Sequence, residues 1–124
     1  MLKKLSAHYL LGVVSARDET SSLAFIRQFK LEEYFKVVVT AQSCRYTKPF
    51  PDPLFYAAEK LGVEPANCLM VGDTTVDMRA AKLAGMQALG VLCGFGKRAE
   101  LQRSGAHLIL PSTTDLLQVP GILP

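Results

Sequence analysis

Apolar and polar positions follow two alternating patterns along the chain. Short continuous apolar runs with β-branched residues indicate buried strands, whereas apolar residues spaced three and four apart indicate amphipathic helices. The apolar runs predict strands over residues 10–14, 37–39, 68–71, 87–92 and 107–110, with no element before residue 10. The helical patterns predict helices over residues 19–29, 54–61, 76–83 and 97–104, and helical turns at 31–35 and 114–117.

The alternation of strands and helices predicts an α/β fold. Right-handed crossovers between successive strands give a parallel sheet with helices on both faces, a three-layer Rossmann-like arrangement. Pro53 suits the first turn of the helix that follows it, and Gly62 suits the left-handed residue after that helix ends. A chain of 124 residues without a linker or a repeat is long enough for one domain with a sizeable core.

Composition and charge exclude several classes of partner. The chain is 49% hydrophobic and 20% charged, which is typical of globular proteins. A net charge of +3 with scattered basic residues predicts neither a nucleic-acid partner nor an acidic membrane. No apolar run approaches the roughly 20 residues that span a bilayer.

The cysteines predict a reducing compartment, and hence a cytoplasmic protein. Cys44, Cys68 and Cys93 are odd in number, widely spaced and without a CxxC pair, which argues against a disulfide framework or a zinc site. Cys68 and Cys93 have apolar neighbours, so we predict both to be small core residues.

Two carboxylates, Asp73 and Asp77, follow the predicted strand 68–71 and are four residues apart. Carboxylates at the end of a strand suit Mg²⁺, a hard cation that takes oxygen ligands and few of them from protein. The alternative is structural, because an acidic side chain at a helix start accepts from free N–H groups and favours the positive end of the helix. From the spacing alone, the metal site and the helix cap are equally well supported.

Two further residues suggest a site for phosphate. Lys48 lies in a proline-flanked loop, where a compact ammonium could neutralise a phosphoryl group; alternatively it is an ordinary solvated lysine. Ser15 could donate its hydroxyl to a phosphate oxygen beside the backbone N–H groups of Ala16 and Arg17; alternatively it is a turn serine. Because ligands bind at the carboxyl ends of parallel strands, Ser15, Lys48 and Asp73 are expected on one rim of the sheet.

The glycines of residues 90–96 do not form a dinucleotide-binding loop. Their spacing departs from GxGxxG, and no acidic residue ends the next strand at the required distance. We predict a glycine-rich turn, with its loop at residues 94–96.

Taken in order, these segments resemble the haloacid dehalogenase superfamily, in its phosphoglycolate phosphatase and β-phosphoglucomutase branch. The strand ending at Ser15 resembles the second motif of the family. Lys48, followed by Pro-Phe-Pro-Asp-Pro, resembles the third motif, and Val-Gly-Asp73-Thr-Thr-Val-Asp77 resembles the fourth. The similarity runs over nearly the whole chain.

The resemblance implies Mg²⁺-dependent hydrolysis of the phosphate monoester of a small metabolite through an aspartyl-phosphate. Ser15 and the backbone at Ala16 would bind the phosphoryl group, and Lys48 would stabilise its charge. Asp73 would coordinate Mg²⁺, and Asp77 would complete or support that site. These tasks are positioning and electrostatic stabilisation, which dominate phosphoryl transfer.

The chain departs from the family at the nucleophile. The family's nucleophile is an aspartate in a DxDGT-like motif on an earlier strand, and none of the remaining aspartates, Asp18, Asp52 and Asp115, lies in such a context. We therefore expect residues 1–124 to be a single partial core domain, without the nucleophile strand and the cap that selects substrate, and inactive alone.

The absent strand would lie between the strands that end at Ser15 and Asp73. Two inner sheet edges would then be unpaired, which favours self-association. The chain could accordingly be a non-catalytic binding or self-association module derived from this fold. A receiver-like signalling domain is disfavoured, because there the acidic phospho-acceptor precedes the lysine, whereas here Lys48 precedes Asp73.

Overall fold

The structure, a computed structural model, describes residues 1–94 and 96–122. The strands are β1 (Gly12–Val14), β2 (Val37–Val39), β3 (Leu69–Gly72), β4 (Gln87–Val91) and β5 (Leu108–Leu110). The helices are α1 (Leu2–Ser6), α2 (Glu19–Gln28), α3 (Asp52–Leu61), α4 (Thr75–Ala84) and α5 (Arg98–Arg103), with 3-10 turns at Glu32–Tyr34, Pro65–Asn67 and Thr113–Gln118. Each predicted strand and helix is confirmed to within two residues at its ends. The predicted loop at residues 94–96 includes Phe95, which lies outside the described residues.

The strands form two parallel sheets. In one sheet β1 pairs with β2, with Val13 opposite Val38. In the other, β4 pairs with β3 on one side and with β5 on the other. Within the described ranges no ladder joins β1 to β3, and this division falls where the sequence predicts an absent strand.

Helices α3 and α4 form a layer that reaches both sheets. Leu54 of α3 and Met78 of α4 are buried in one apolar cluster. Val14 of β1 and Met70 of β3 pack against the same cluster, so each sheet contributes a residue to it. The two sheets are therefore held together by a shared helical layer rather than by backbone pairing.

Helix α1 lies on a second cluster and was missed by the sequence analysis. Its Leu5 is buried with Leu89 and Val91 of β4 and with Leu116. A helix of five residues with one buried side chain shows no helical period in its sequence, so only tertiary packing identifies it. No helix of residues 1–94 and 96–122 combines the length and apolar character that crossing a membrane requires.

Candidate functional site

Lys48 connects the carboxyl end of β1 with the start of α4, the helix that follows β3. Its Nζ donates to the carbonyl oxygen of Val14 at 3.2 Å and forms an ion pair with Asp77 Oδ1 at 2.6 Å. The exposed fractions of the two charged side chains are only 11% for Lys48 and 7% for Asp77. The solvated-loop alternative for this lysine is therefore wrong, because the proline-flanked loop turns its ammonium into the protein between the two sheets.

The Asp77 carboxylate caps the start of α4. Its Oδ2 accepts from the backbone N–H of Asp73 at 3.2 Å and of Thr74 at 3.3 Å, while the Asp77 N–H donates to Thr74 Oγ1 at 3.2 Å. This reciprocal capping box confirms the cap interpretation. A Cβ at Gly72 would lie 2.5 Å from Asp77 Oδ2, so only glycine leaves room for the carboxylate there. The Thr-x-x-Asp spacing is a signal from which the capping box could have been predicted.

Asp73 is half-buried where β3 turns into α4, and its backbone is held on both sides. Its N–H donates to Asp77, and its carbonyl oxygen accepts from Gly96 N–H at 2.9 Å. The described residues contain no group of three or more His, Cys, Asp or Glu side chains placed to hold a metal. A single rim carboxylate nevertheless fits Mg²⁺, which keeps several waters and needs few protein ligands. The assignment of Asp73 and Asp77 to a metal stays a prediction.

Ser15 follows β1 on the same rim as Lys48. Its Oγ accepts from the Arg17 N–H at 3.0 Å and from the Ser22 hydroxyl at 3.4 Å, and its own N–H donates to Val39 O at 2.8 Å. With two bonds accepted, the Ser15 hydroxyl can still donate its proton to a ligand. Ala16 is exposed beside it. Ser22 is not predictable from the sequence as a neighbour of Ser15, because a serine inside a helical pattern carries no signal that it faces a neighbouring loop.

The thiols of Cys44 and Cys68 are not activated as nucleophiles. Burial raises the pKa of the Cys68 thiol, and burial followed by the nearby Asp52 raises the pKa of the Cys44 thiol. Cys68 is partly buried and packs against the apolar cluster that contains Leu54 and Met78. The core prediction for Cys93 is wrong: it is exposed, because it lies in the turn just past the end of β4.

Comparison with known proteins gives a consistent set of relatives. The family described as haloacid dehalogenase-like hydrolase matches residues 1–91. A phosphoglycolate phosphatase of Escherichia coli (strain K12) is 32% identical over 112 residues, covering 90% of this chain and 44% of the relative. A phosphoglycolate phosphatase of Neisseria gonorrhoeae is 40% identical over 114 residues, covering 92% and 45%.

Solved structures agree with the sequence relatives. The crystal structure of a HAD phosphatase from Thermococcus onnurineus superposes with a TM-score of 0.83 at 29% identity, covering 98% of this chain and 55% of the other. The chain spans about half the length of the relatives that it matches. Its motifs thus occupy the same kind of fold, over part of a longer protein in each relative.

Proposed function

Because the chain belongs to the haloacid dehalogenase-like hydrolases, we propose that it forms the carboxyl-terminal part of the catalytic core of a Mg²⁺-dependent phosphatase. The observation that carries the proposal is the nearly buried Lys48 ammonium, held between the end of β1 and the start of α4 by Val14 and Asp77. An ammonium has three donors, and these two bonds leave a third that can reach a phosphoryl oxygen.

Each residue of the rim has a distinct task in this proposal. The Ser15 hydroxyl and the backbone N–H of Ala16 bind phosphoryl oxygens, and Lys48 neutralises their charge. Asp73 supplies a carboxylate oxygen to Mg²⁺, while Asp77 positions both Lys48 and the backbone of Asp73. When bound, the cation adds positive charge against the phosphoryl group. The substrate class is the phosphate monoester of a small metabolite, and phosphoglycolate is the first candidate because the relatives named above are phosphoglycolate phosphatases.

The aspartates outside the fourth motif have structural roles in helix starts. Asp18 caps α2 through the Ser21 N–H, Asp52 lies in the first turn of α3, and Asp115 closes a capping box with Ser112. None of them lies in a DxD pair. We therefore propose that residues 1–124 do not carry out the aspartyl-phosphate reaction on their own.

Turnover tests this part of the proposal directly. Purified residues 1–124 are assayed with p-nitrophenyl phosphate and with phosphoglycolate in the presence of Mg²⁺, and no hydrolysis above the buffer rate is expected. Mg²⁺-dependent hydrolysis that disappears in Asp73→Asn would show that the chain is an enzyme by itself.

Phosphate binding tests the rim independently of turnover. Inorganic phosphate is titrated into ¹⁵N-labelled protein, and we expect chemical-shift changes at the backbone amides of Ser15 and Ala16. Lys48→Met should abolish these changes. Lys82→Met, which removes an exposed lysine of α4, should leave them intact and serves as the matched control. Equal binding by both variants would exclude Lys48 from the phosphate site.

A second candidate function is self-association through the inner sheet edges. It is favoured by the absence, within residues 1–94 and 96–122, of a ladder between β1 and β3. Unpaired edges recruit strands from other chains, and a charged residue on the edge prevents this. Leu69, 40% exposed at the start of β3, can be changed to Lys, and Leu108, 42% exposed on β5, gives the outer-edge control.

Light scattering over a range of protein concentrations then measures the oligomeric state of both variants. Association through the inner edges predicts that Leu69→Lys is monomeric while Leu108→Lys associates like the unmodified chain. A monomer at every concentration before any substitution would eliminate this candidate.

For the cellular location we propose the cytoplasm, on the basis of the free thiols at Cys44, Cys68 and Cys93.

A further inference from the structure

The turn that follows β4 lies directly against Asp73. A Cβ placed on Gly94 would be 2.6 Å from both the Cβ and the Cγ of Asp73. A Cβ on Gly96 would overlap the Asp73 carbonyl oxygen and lie 2.9 Å from Leu101 Cδ2. Carbon atoms in good contact are about 3.5–4.0 Å apart. The space of a side chain at positions 94 and 96 is therefore already occupied, and at position 94 it is occupied by Asp73.

A left-handed backbone does not explain the glycine at position 94. Gly62 and Gly85 have left-handed φ values of 70° and 76°, and a Cβ on either would meet nothing within 4 Å. Gly94 is not among the glycines with positive φ, so an alanine could adopt its φ. Gly62 and Gly85 need glycine for their backbone conformation, whereas Gly94 needs it for the close approach to Asp73.

From this contact we propose that Gly94 is a positioning residue for the Asp73 carboxylate. The backbone of Asp73 is fixed at its N–H by Asp77, at 3.2 Å, and at its carbonyl oxygen by Gly96, at 2.9 Å. With both ends held, a Cβ at position 94 is incompatible with the present position of the Asp73 side chain relative to the turn. Restoring normal carbon contact requires a displacement of about 1 Å.

A displacement of that size matters for a metal ligand. Loss of the groups that orient a metal ligand typically weakens metal affinity about 10–100-fold. The metal part of this inference rests on the proposed function, whereas the contact between Gly94 and Asp73 does not. Gly94 is thus expected to set how well Asp73 binds a divalent cation.

Mn²⁺ titration tests the metal part without relying on activity. Paramagnetic broadening of amide signals near Asp73 reports the affinity in the unmodified chain, in Gly94→Ala and in Gly90→Ala. The Gly90 variant is the control, because the atoms nearest to its Cβ would belong to Leu101, at 3.1 Å, and to Ile109, at 3.6 Å. We expect affinity to fall about 10–100-fold in Gly94→Ala and to stay unchanged in Gly90→Ala.

The Asp73→Asn variant distinguishes an error in the proposed cation site from an error in the positioning role of Gly94. If it binds Mn²⁺ as well as the unmodified chain, the proposed cation site is wrong. If Asp73→Asn loses Mn²⁺ affinity while Gly94→Ala and Gly90→Ala both bind Mn²⁺ as tightly as the unmodified chain, the cation site is supported and the positioning role of Gly94 is overturned.

A double-mutant cycle tests the contact even if the unmodified chain binds no Mn²⁺. Asp73→Gly removes Oδ2, Cβ and Cγ of Asp73, the three atoms nearest to a Cβ at position 94. Gly94→Ala should therefore lower the melting temperature in the unmodified background and have little further effect beside Asp73→Gly. Equal losses in both backgrounds would refute the inference.

Discussion

The ion pair between Lys48 and Asp77 is predicted to contribute substantially to stability. Lys48→Met removes the ammonium but keeps an apolar side chain of similar length. The Asp77 carboxylate, 7% exposed, then retains only the backbone N–H donors of Asp73 and Thr74. Breaking a buried pair from one side costs about 3–5 kcal/mol, because the remaining charge stays buried. The two retained bonds place the expected loss at the low end, about 3 kcal/mol.

Urea unfolding followed by circular dichroism measures this loss, and thermal unfolding should show a melting temperature lower by about 10 °C. Lys82→Met, which removes an exposed lysine from the helix that contains Asp77, should cost less than about 1 kcal/mol. In a double-mutant cycle, Lys48→Met with Asp77→Asn should cost less than the sum of the single changes, by about 2 kcal/mol. A loss below about 1 kcal/mol for Lys48→Met, or strict additivity of the two changes, would refute the claim that the pair joins the sheets.

Three further predictions concern separate parts of the chain. Gly62→Ala should lower the free energy of unfolding by about 1 kcal/mol in a urea titration, because its φ of 70° is strained for alanine although no neighbour crowds it; no measurable change would contradict the left-handed helix end. Iodoacetamide at neutral pH, with peptide mass spectrometry, should modify exposed Cys93 before Cys44, whose pKa is raised by burial; the reverse order would contradict this. Hydrogen bonding to Ser21 lowers the pKa of Asp18, so its stabilisation is present above its ordinary value of 3.8 and disappears as pH falls through the lowered value. Melting temperatures of Asp18→Asn and the unmodified chain should therefore differ at neutral pH and converge in acid, and a constant difference would exclude this linkage.

The pattern of residues along the chain was enough to predict the strands, the larger helices and the rim on which Ser15, Lys48 and Asp73 lie. Apolar runs and helical spacing are local signals, and parallel strands bring their carboxyl ends to one edge whatever the packing details. Pro53 and Gly62 likewise act through their own backbone restrictions, so both ends of α3 were predictable. The resemblance of the ordered motifs to one family was also available from the sequence.

Contacts between polar groups that are distant in the sequence could be identified only from the packed fold. The pairing of Lys48 with Asp77 joins residues 29 positions apart, and no local pattern encodes that distance. The same holds for α1, whose single buried residue acquires its partners from β4, and for Gly94, whose role depends on Asp73. Contacts between distant segments depend on how the helical layer orients the two sheets. The spacing of residues did not distinguish a helix cap from a metal ligand at Asp77. The structure shows that its carboxylate caps α4 and also pairs with Lys48.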